Sequence, residues 1–136
     1  MTTQAIGEYA LRVTTRLSFE TAIEKVTALL AEEGFGVLTE IDVAATLKQK
    51  LGLETRPYRI LGACNPQFAH ASLEATPYVG VFLPCNVVVW DEGDQRVVAA
   101  MEPRAMGLII GLPEIRKVAN EVSDRIRRVL EKLEGA

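Results

Sequence analysis

The C-terminal stretch constrains the fold most, because it carries an unbroken apolar stripe at helical spacing. The stripe predicts a long amphipathic helix that begins at Pro113 and ends near Leu133. A helix of this kind must bury its apolar side against another element of the domain. We therefore expect it to be a main core element, through Ile115, Val118, Ala119, Val122, Ile126, Val129, Leu130 and Leu133.

The N-terminal part predicts a strand followed by a helix. Residues 8–17 alternate between apolar and polar side chains, which is typical of a half-buried strand. Ser18 then stands where a helix N-cap belongs, and Gly34 is a natural C-terminal stop. Between them, helical spacing relates Phe19, Ala22, Ile23, Val26, Leu29 and Leu30.

The middle of the chain continues to alternate between strands and helices. Residues 35–41 favour a second strand, and a short helix capped by Asp42 is predicted to end at Gly52. Residues 58–64 favour a further strand. Asn65 is then placed as an N-cap with proline at the first helical position, so a helix is predicted to about residue 75.

Two apolar runs of strand length follow, residues 79–83 and 87–90, separated by a Pro-Cys-Asn break. Because proline cannot donate to a sheet ladder, we interpret the break as a kink, a bulge or an edge position. Residues 95–102 are predicted to pair back as a hairpin after a Gly-containing turn. Residues 103–112, punctuated by glycine and proline, are interpreted as a connection to the last helix.

These patterns predict one α+β domain over residues 1–136, in the order β-α-β(n)-α, with helices covering one face of an antiparallel sheet. Hydrophobic residues make up 49% of the chain, so a substantial core is expected. No signal peptide or membrane helix is recognised, and a cytoplasmic location is expected. The net charge of -3 argues against a nucleic-acid binder.

The chain lacks a phosphate-binding glycine loop, a dinucleotide fingerprint and a CxxC motif, and it contains one histidine. Chemistry is therefore expected at two Cys-Asn pairs and that histidine. The candidate ligand-binding residues are Cys64, Asn65, His70, Cys85 and Asn86, with no catalytic residue assigned and the cofactor and metal unknown. Each has a structural interpretation as well: the cysteines as core residues, the asparagines as caps or turn residues, and the histidine as an exposed helix residue.

The two motifs, GACNP at residues 62–66 and LPCNV at residues 83–87, resemble the family known as domain of unknown function 302, or DUF302. The likeness extends from the first strand to the end of the hairpin. It implies a single copy of a fold similar to that of the TATA-binding protein, and a dimer. It implies no activity, because a fold by itself does not confer one.

Three functions from different classes are consistent with these features. The first is a small-ligand or metal-binding module with its site near the Cys-Asn motifs. The second is a homodimeric structural or interaction domain, since the apolar strands of the sheet need a cover on the face without helices. The third is a cysteine-dependent enzyme with His70 as base.

We further expect Cys64 and Cys85 to lie near each other at one end of the sheet, with His70 one helical turn away. Two thiolates and an imidazole suit zinc or copper. A tetrahedral site would need a fourth ligand, for which the chain offers no further Cys or His.

Overall fold

A computed structural model describes residues 3–136 of the chain. It contains six strands, five α-helices and one 3-10 helix between residues 77 and 82. The strands are β1 (Gln4–Ile6), β2 (Ala10–Thr15), β3 (Gly36–Asp42), β4 (Tyr58–Cys64), β5 (Cys85–Asp91) and β6 (Arg96–Met101). The helices are α1 (Phe19–Glu32), α2 (Val43–Leu51), α3 (Pro66–Ala75), α4 (Pro103–Ile110) and α5 (Pro113–Glu134).

The strands form one sheet in the order β1-β2-β6-β5-β4-β3, and every neighbouring pair is antiparallel. β5 and β6 form the predicted hairpin, and Asp91 pairs with Arg96 next to its turn. The α+β class predicted from the sequence is thus confirmed. The likeness to the TATA-binding-protein fold stays a prediction.

One face of the sheet carries the main core, formed with α1 and α5. From the sheet, Leu11, Leu61 and Val89 are almost fully buried in it, and Leu30 and Ile126 meet them from the two helices. Because the apolar stripe of α5 runs along its whole length, the helix can cover several strands at once. The predicted role of this helix as a core element is confirmed.

A charged contact joins the end of α1 to α5. Arg128 donates two hydrogen bonds to the Glu33 carboxylate, at 2.9 and 3.0 Å, and Arg125 donates to the Glu33 carbonyl at 2.9 Å. The hydrogen bond from Arg128 holds the pKa of Glu33 below its ordinary value. The contact therefore stabilises the pairing of the two helices above the ordinary pKa of a glutamate and weakens as the pH falls through the lowered one.

Residues 79–83 are not a strand, contrary to the sequence prediction. Residues 79–82 belong to the 3-10 helix Pro77–Phe82, and Leu83 is its C-cap. Thr76 caps the start of this helix, since the Thr76 hydroxyl accepts from the backbone N–H of Tyr78 at 3.3 Å. Val79 is fully buried, whereas Val81 is 83% exposed, so the apolar run does not alternate about a sheet. A five-residue apolar run has no period that distinguishes the two structures.

Residues 103–112 are not an irregular connection, which corrects a second prediction. They contain α4 (Pro103–Ile110), whose C-cap Gly111 has a positive φ of 76°. Proline and glycine therefore act here as helix start and stop signals rather than as loop residues.

α4 and the 3-10 helix share a small satellite core. It consists of Val79, Met106, Ile115 and Ala119, with Phe82 and Ile110 packed partly against it. Gly107 makes the close approach of α4 to α5 possible, because a Cβ there would meet the Ala119 Cβ at 3.2 Å. The domain thus has a main core and a separate satellite core, and α5 contributes side chains to both.

The face of the sheet opposite α1 and α5 presents an apolar row. The register aligns Ile41 with Ile60, Ile60 with Val88 and Val88 with Ala99. Ile41 is 49% exposed, and Ile60 and Val88 are partly exposed. We call this side the open face.

Candidate functional site

Three of the five predicted site residues lie together. Cys64, Asn65 and Cys85 line one cavity between the ends of β4 and β5 and the helices α3, α4 and α5. Cys85 stands opposite Ala63, the residue before Cys64, in the antiparallel register of the two strands. The predicted proximity of the two cysteines therefore follows from the pairing of β4 with β5.

The cavity lies at the seam between the two cores. Phe35 and Phe68 line it from the main core, and Leu83 and Met106 line it from the satellite core. Its volume of about 30 Å³ is enough for a water molecule but not for an organic ligand. The space beside the cysteines therefore suits an occupant of atomic or near-atomic size.

Both cysteines are free thiols. Burial, and to a smaller extent the charge of a Cys64 thiolate, raise the pKa of Cys85 to about 11. At neutral pH the Cys85 thiol is protonated and is a poor nucleophile by itself. A cysteine-dependent enzyme would therefore find no activated thiol at Cys85.

Asn65 is a helix cap, as its sequence position indicates. Its side-chain oxygen accepts from the backbone N–H groups of Gln67 and Phe68, at 3.2 and 3.4 Å. The residue is 8% exposed, and its amide nitrogen lies 2.9 Å from the place where a Cβ on Gly34 would stand. A glycine at position 34 therefore does two things. It adopts the positive φ after the end of α1, and it leaves room for the Asn65 side chain.

His70 and Asn86 lie away from the cavity. His70 is exposed on α3, and neither the cavity beside the cysteines nor the cleft described next includes it among the residues that line them. Asn86 is exposed and belongs to the open face. The structure thus divides the predicted site, with the second Cys-Asn pair contributing one residue to each side of the sheet.

A larger cleft lies on the open face, where the 3-10 helix meets the sheet. We call it the open-face cleft. Its volume is about 440 Å³, and its lining includes Tyr9, Val81, Pro84, Asn86, Val88 and Met101. Sequence reasoning missed this cleft because its rim comes from the segment interpreted as a strand.

One residue of β4 could have indicated the cleft. A Cβ on Gly62 would meet Pro84 Cγ at 2.8 Å and would clash with the Thr39 hydroxyl. A glycine inside a strand often marks a site where another part of the chain approaches closely. Gly62 is the signal that Pro84 folds onto the open face.

Among residues 3–136, no three His, Cys, Asp or Glu side chains gather in a way that could hold a metal ion. The predicted set of two cysteines and His70 is therefore not assembled. Within the same residues, no helix combines the length and hydropathy that a membrane crossing requires.

Comparison with known proteins finds one family model that covers most of the domain. A family model described as "Domain of unknown function DUF302" matches residues 11–133. A crystal structure of an uncharacterised conserved DUF302 protein from Bacillus stearothermophilus is similar over 91% of this chain and 97% of that one. Its sequence identity is 30% and its TM-score is 0.85. No curated protein matches the sequence.

Proposed function

Since the chain belongs to the DUF302 family, which has no described function, we propose that it is a small-ligand-binding module whose ligand occupies the open-face cleft. The size of the cleft, together with its uncharged and largely apolar lining, carries this proposal. At about 440 Å³ it lies within the range of small-molecule pockets, whereas the cavity beside the cysteines, at about 30 Å³, does not.

The lining of the cleft suits a largely apolar, uncharged ligand. Val81, Val88 and Met101 provide apolar walls, and no charged side chain is among the described residues that line it. Asn86 and Tyr9 are polar residues at the exposed rim, and each can exchange hydrogen bonds with a ligand. Mainly apolar walls with a few polar groups are typical of ligand pockets.

We expect the neutral, apolar dye Nile red to bind saturably to the cleft of the wild-type protein. Changing Val81→Glu should weaken this binding roughly tenfold or more, because a carboxylate at the rim must be desolvated when the dye enters. Val81 is 83% exposed, so the change should leave the fold intact. Fluorescence titration measures the affinity, and native mass spectrometry of freshly purified protein reports any retained ligand.

A matched control is available in the same 3-10 helix. Tyr78 is 82% exposed and does not line the cleft, so Tyr78→Glu should bind the dye as the wild type does. Equal affinities in all three proteins, or no saturable binding, would exclude the cleft as the site.

A second function, a homodimeric interaction domain, is favoured by the apolar row on the open face. Ile41, Ile60 and Val88 remain accessible there, while α1 and α5 cover the opposite face. Contiguous exposed apolar surface of this kind marks interaction sites, and a twofold contact is the commonest way to bury it. A second copy bound on this row would also form one wall of the open-face cleft.

We expect a dimer of twice 14.9 kDa in sedimentation equilibrium at micromolar concentration. Val88→Lys should convert it into a monomer, because a lysine in the middle of the row would be buried without a partner. Leu108→Lys is the control, since Leu108 is 68% exposed on α4. A wild-type monomer would refute the dimer, and a Val88→Lys dimer would refute a contact through the open face. Neither result decides the outcome of the dye experiment.

A further inference from the structure

The proposed ligand site on the open face leaves the cavity beside the cysteines without a role. This cavity brings together the two cysteines of the chain from adjacent strands. Cys85 pairs with Ala63, the residue that precedes Cys64, and Cys64 contributes to the raised pKa of Cys85. The arrangement is a pair of cysteines, with the Met106 thioether also in the lining, around a space the size of a water molecule.

The rest of the lining excludes most other occupants. Phe35, Phe68 and Met106 make the walls largely apolar, and a volume of about 30 Å³ admits no organic molecule. A hydrated hard cation such as Mg²⁺ needs several oxygen ligands, which these walls do not offer. Zinc prefers four ligands, and no group of three His, Cys, Asp or Glu donors occurs within residues 3–136.

Two thiolates alone match a different class of ion. Soft thiolate ligands select Cu(I), and monovalent ions such as Cu(I) and Ag(I) are stable with two sulfur ligands in a linear arrangement. We propose that Cys64 and Cys85 form a two-coordinate site for a soft monovalent cation, Cu(I), in the cavity at the seam between the two cores.

The chemistry of binding balances without a redox partner. Two S–H bonds break and two Cu–S bonds form, the two protons pass to the solvent, and copper stays in the Cu(I) state throughout. The product is a bis-thiolate complex with one negative charge. Such a charge inside an apolar cavity needs compensation.

Two helix N-termini provide part of this compensation. Asn65, the N-cap of α3, and Pro103, the first residue of α4, both line the cavity. The positive ends of two helix dipoles therefore lie beside the site. The Glu102 carboxylate caps the N-terminus of α4 by accepting from the Arg104 backbone N–H at 3.1 Å, and Arg127, at 2.9 Å, balances the charge of that carboxylate.

Anaerobic titration with Cu(I) against the competing chelator bathocuproine disulfonate tests the site on the full chain. We expect one Cu(I) to bind per wild-type chain, and Cys64→Ser and Cys85→Ser each to lose this complex. His70→Ala should bind as the wild type does, because His70 lies on the exposed side of α3. Thermal melting of each variant identifies any loss of binding that is due to unfolding.

X-ray absorption of the wild-type complex keeps the test independent of the variants. Two sulfur neighbours and no nitrogen are expected at the copper. A nitrogen ligand, three or more sulfur ligands, or one ion shared between two chains would overturn the proposal. So would a folded single-cysteine variant that holds Cu(I) as tightly as the wild type. None of these results depends on whether the open-face cleft binds a ligand.

Discussion

Replacing Ile126 with aspartate is expected to unfold the domain. Ile126 is 2% exposed in the main core, where α5 crosses the sheet. The change removes the buried isoleucine packing, worth about 2–5 kcal/mol, and adds a carboxylate that has no partner there. Together these costs consume most or all of the roughly 5–15 kcal/mol by which a domain of this size is stable. Far-UV circular dichroism during thermal melting measures the loss.

The matched control places the same residue on the exposed side of the same helix. Lys117 is exposed, and its change to aspartate should alter the unfolding free energy by no more than about 0.5 kcal/mol. If Ile126→Asp melted near the wild-type temperature, the α5 stripe would not be the core that the packing indicates.

The second large effect is expected at Glu102, where β6 turns into α4. One carboxylate oxygen accepts from the Arg104 backbone N–H at 3.1 Å and caps α4, and the other pairs with Arg127 at 2.9 Å. The Glu102 side chain is only 10% exposed. Glu102→Ala should therefore cost about 2–3 kcal/mol, because a cap and a charged hydrogen bond are lost together.

Urea denaturation separates the two contributions of Glu102. Glu102→Gln keeps an oxygen for the cap and loses the charge, so it should retain part of the stability that Glu102→Ala loses. Glu121→Ala is the surface comparison: its pair with Arg125 on α5 is largely exposed and should be worth at most about 0.5 kcal/mol. Equal midpoints for Glu102→Ala and Glu121→Ala would contradict the structural role of Glu102.

The long, periodic elements could be predicted from the sequence, because local chemistry and burial agree there. Ser18, Asp42 and Asn65 all cap helices as their positions indicate: each side chain accepts a backbone N–H two or three residues ahead. The hairpin of β5 and β6 could be predicted as well, since two apolar runs of strand length flank a turn with Gly93 at a positive φ.

The elements that were missed depend on tertiary contacts. The 3-10 helix is stabilised through Val79 and α4 through Met106. Both side chains pack in one cluster with Ile115 and Ala119 of α5. The three-residue strand β1 is too short to show a period and is held by its ladder with β2. Local sequence does not contain these interactions.

The candidate site could be predicted only in part. Strand pairing brings Cys64 and Cys85 together, as the two motifs suggested. Whether a side chain such as Asn86 faces the helices or the open face depends on the residue at which β5 begins, and the Pro-Cys-Asn break concealed that register. The volumes of the cavity and the cleft are set by packing, which a sequence pattern does not specify.

The division into two cores has a consequence for how the molecule fluctuates. The satellite core holds four buried side chains, two of them from α5, and we expect the 3-10 helix and α4 to detach from α5 while the sheet and the main core stay intact. Cooperative units of this size open at a free energy below that of global unfolding. The 3-10 helix and α4 should therefore exchange their amide hydrogens together and earlier than the central strands. Leu83 and Met106 line the cavity beside the two cysteines, so each such opening should widen the access of a thiol reagent to Cys64 and Cys85 beyond their partial exposure in the closed structure.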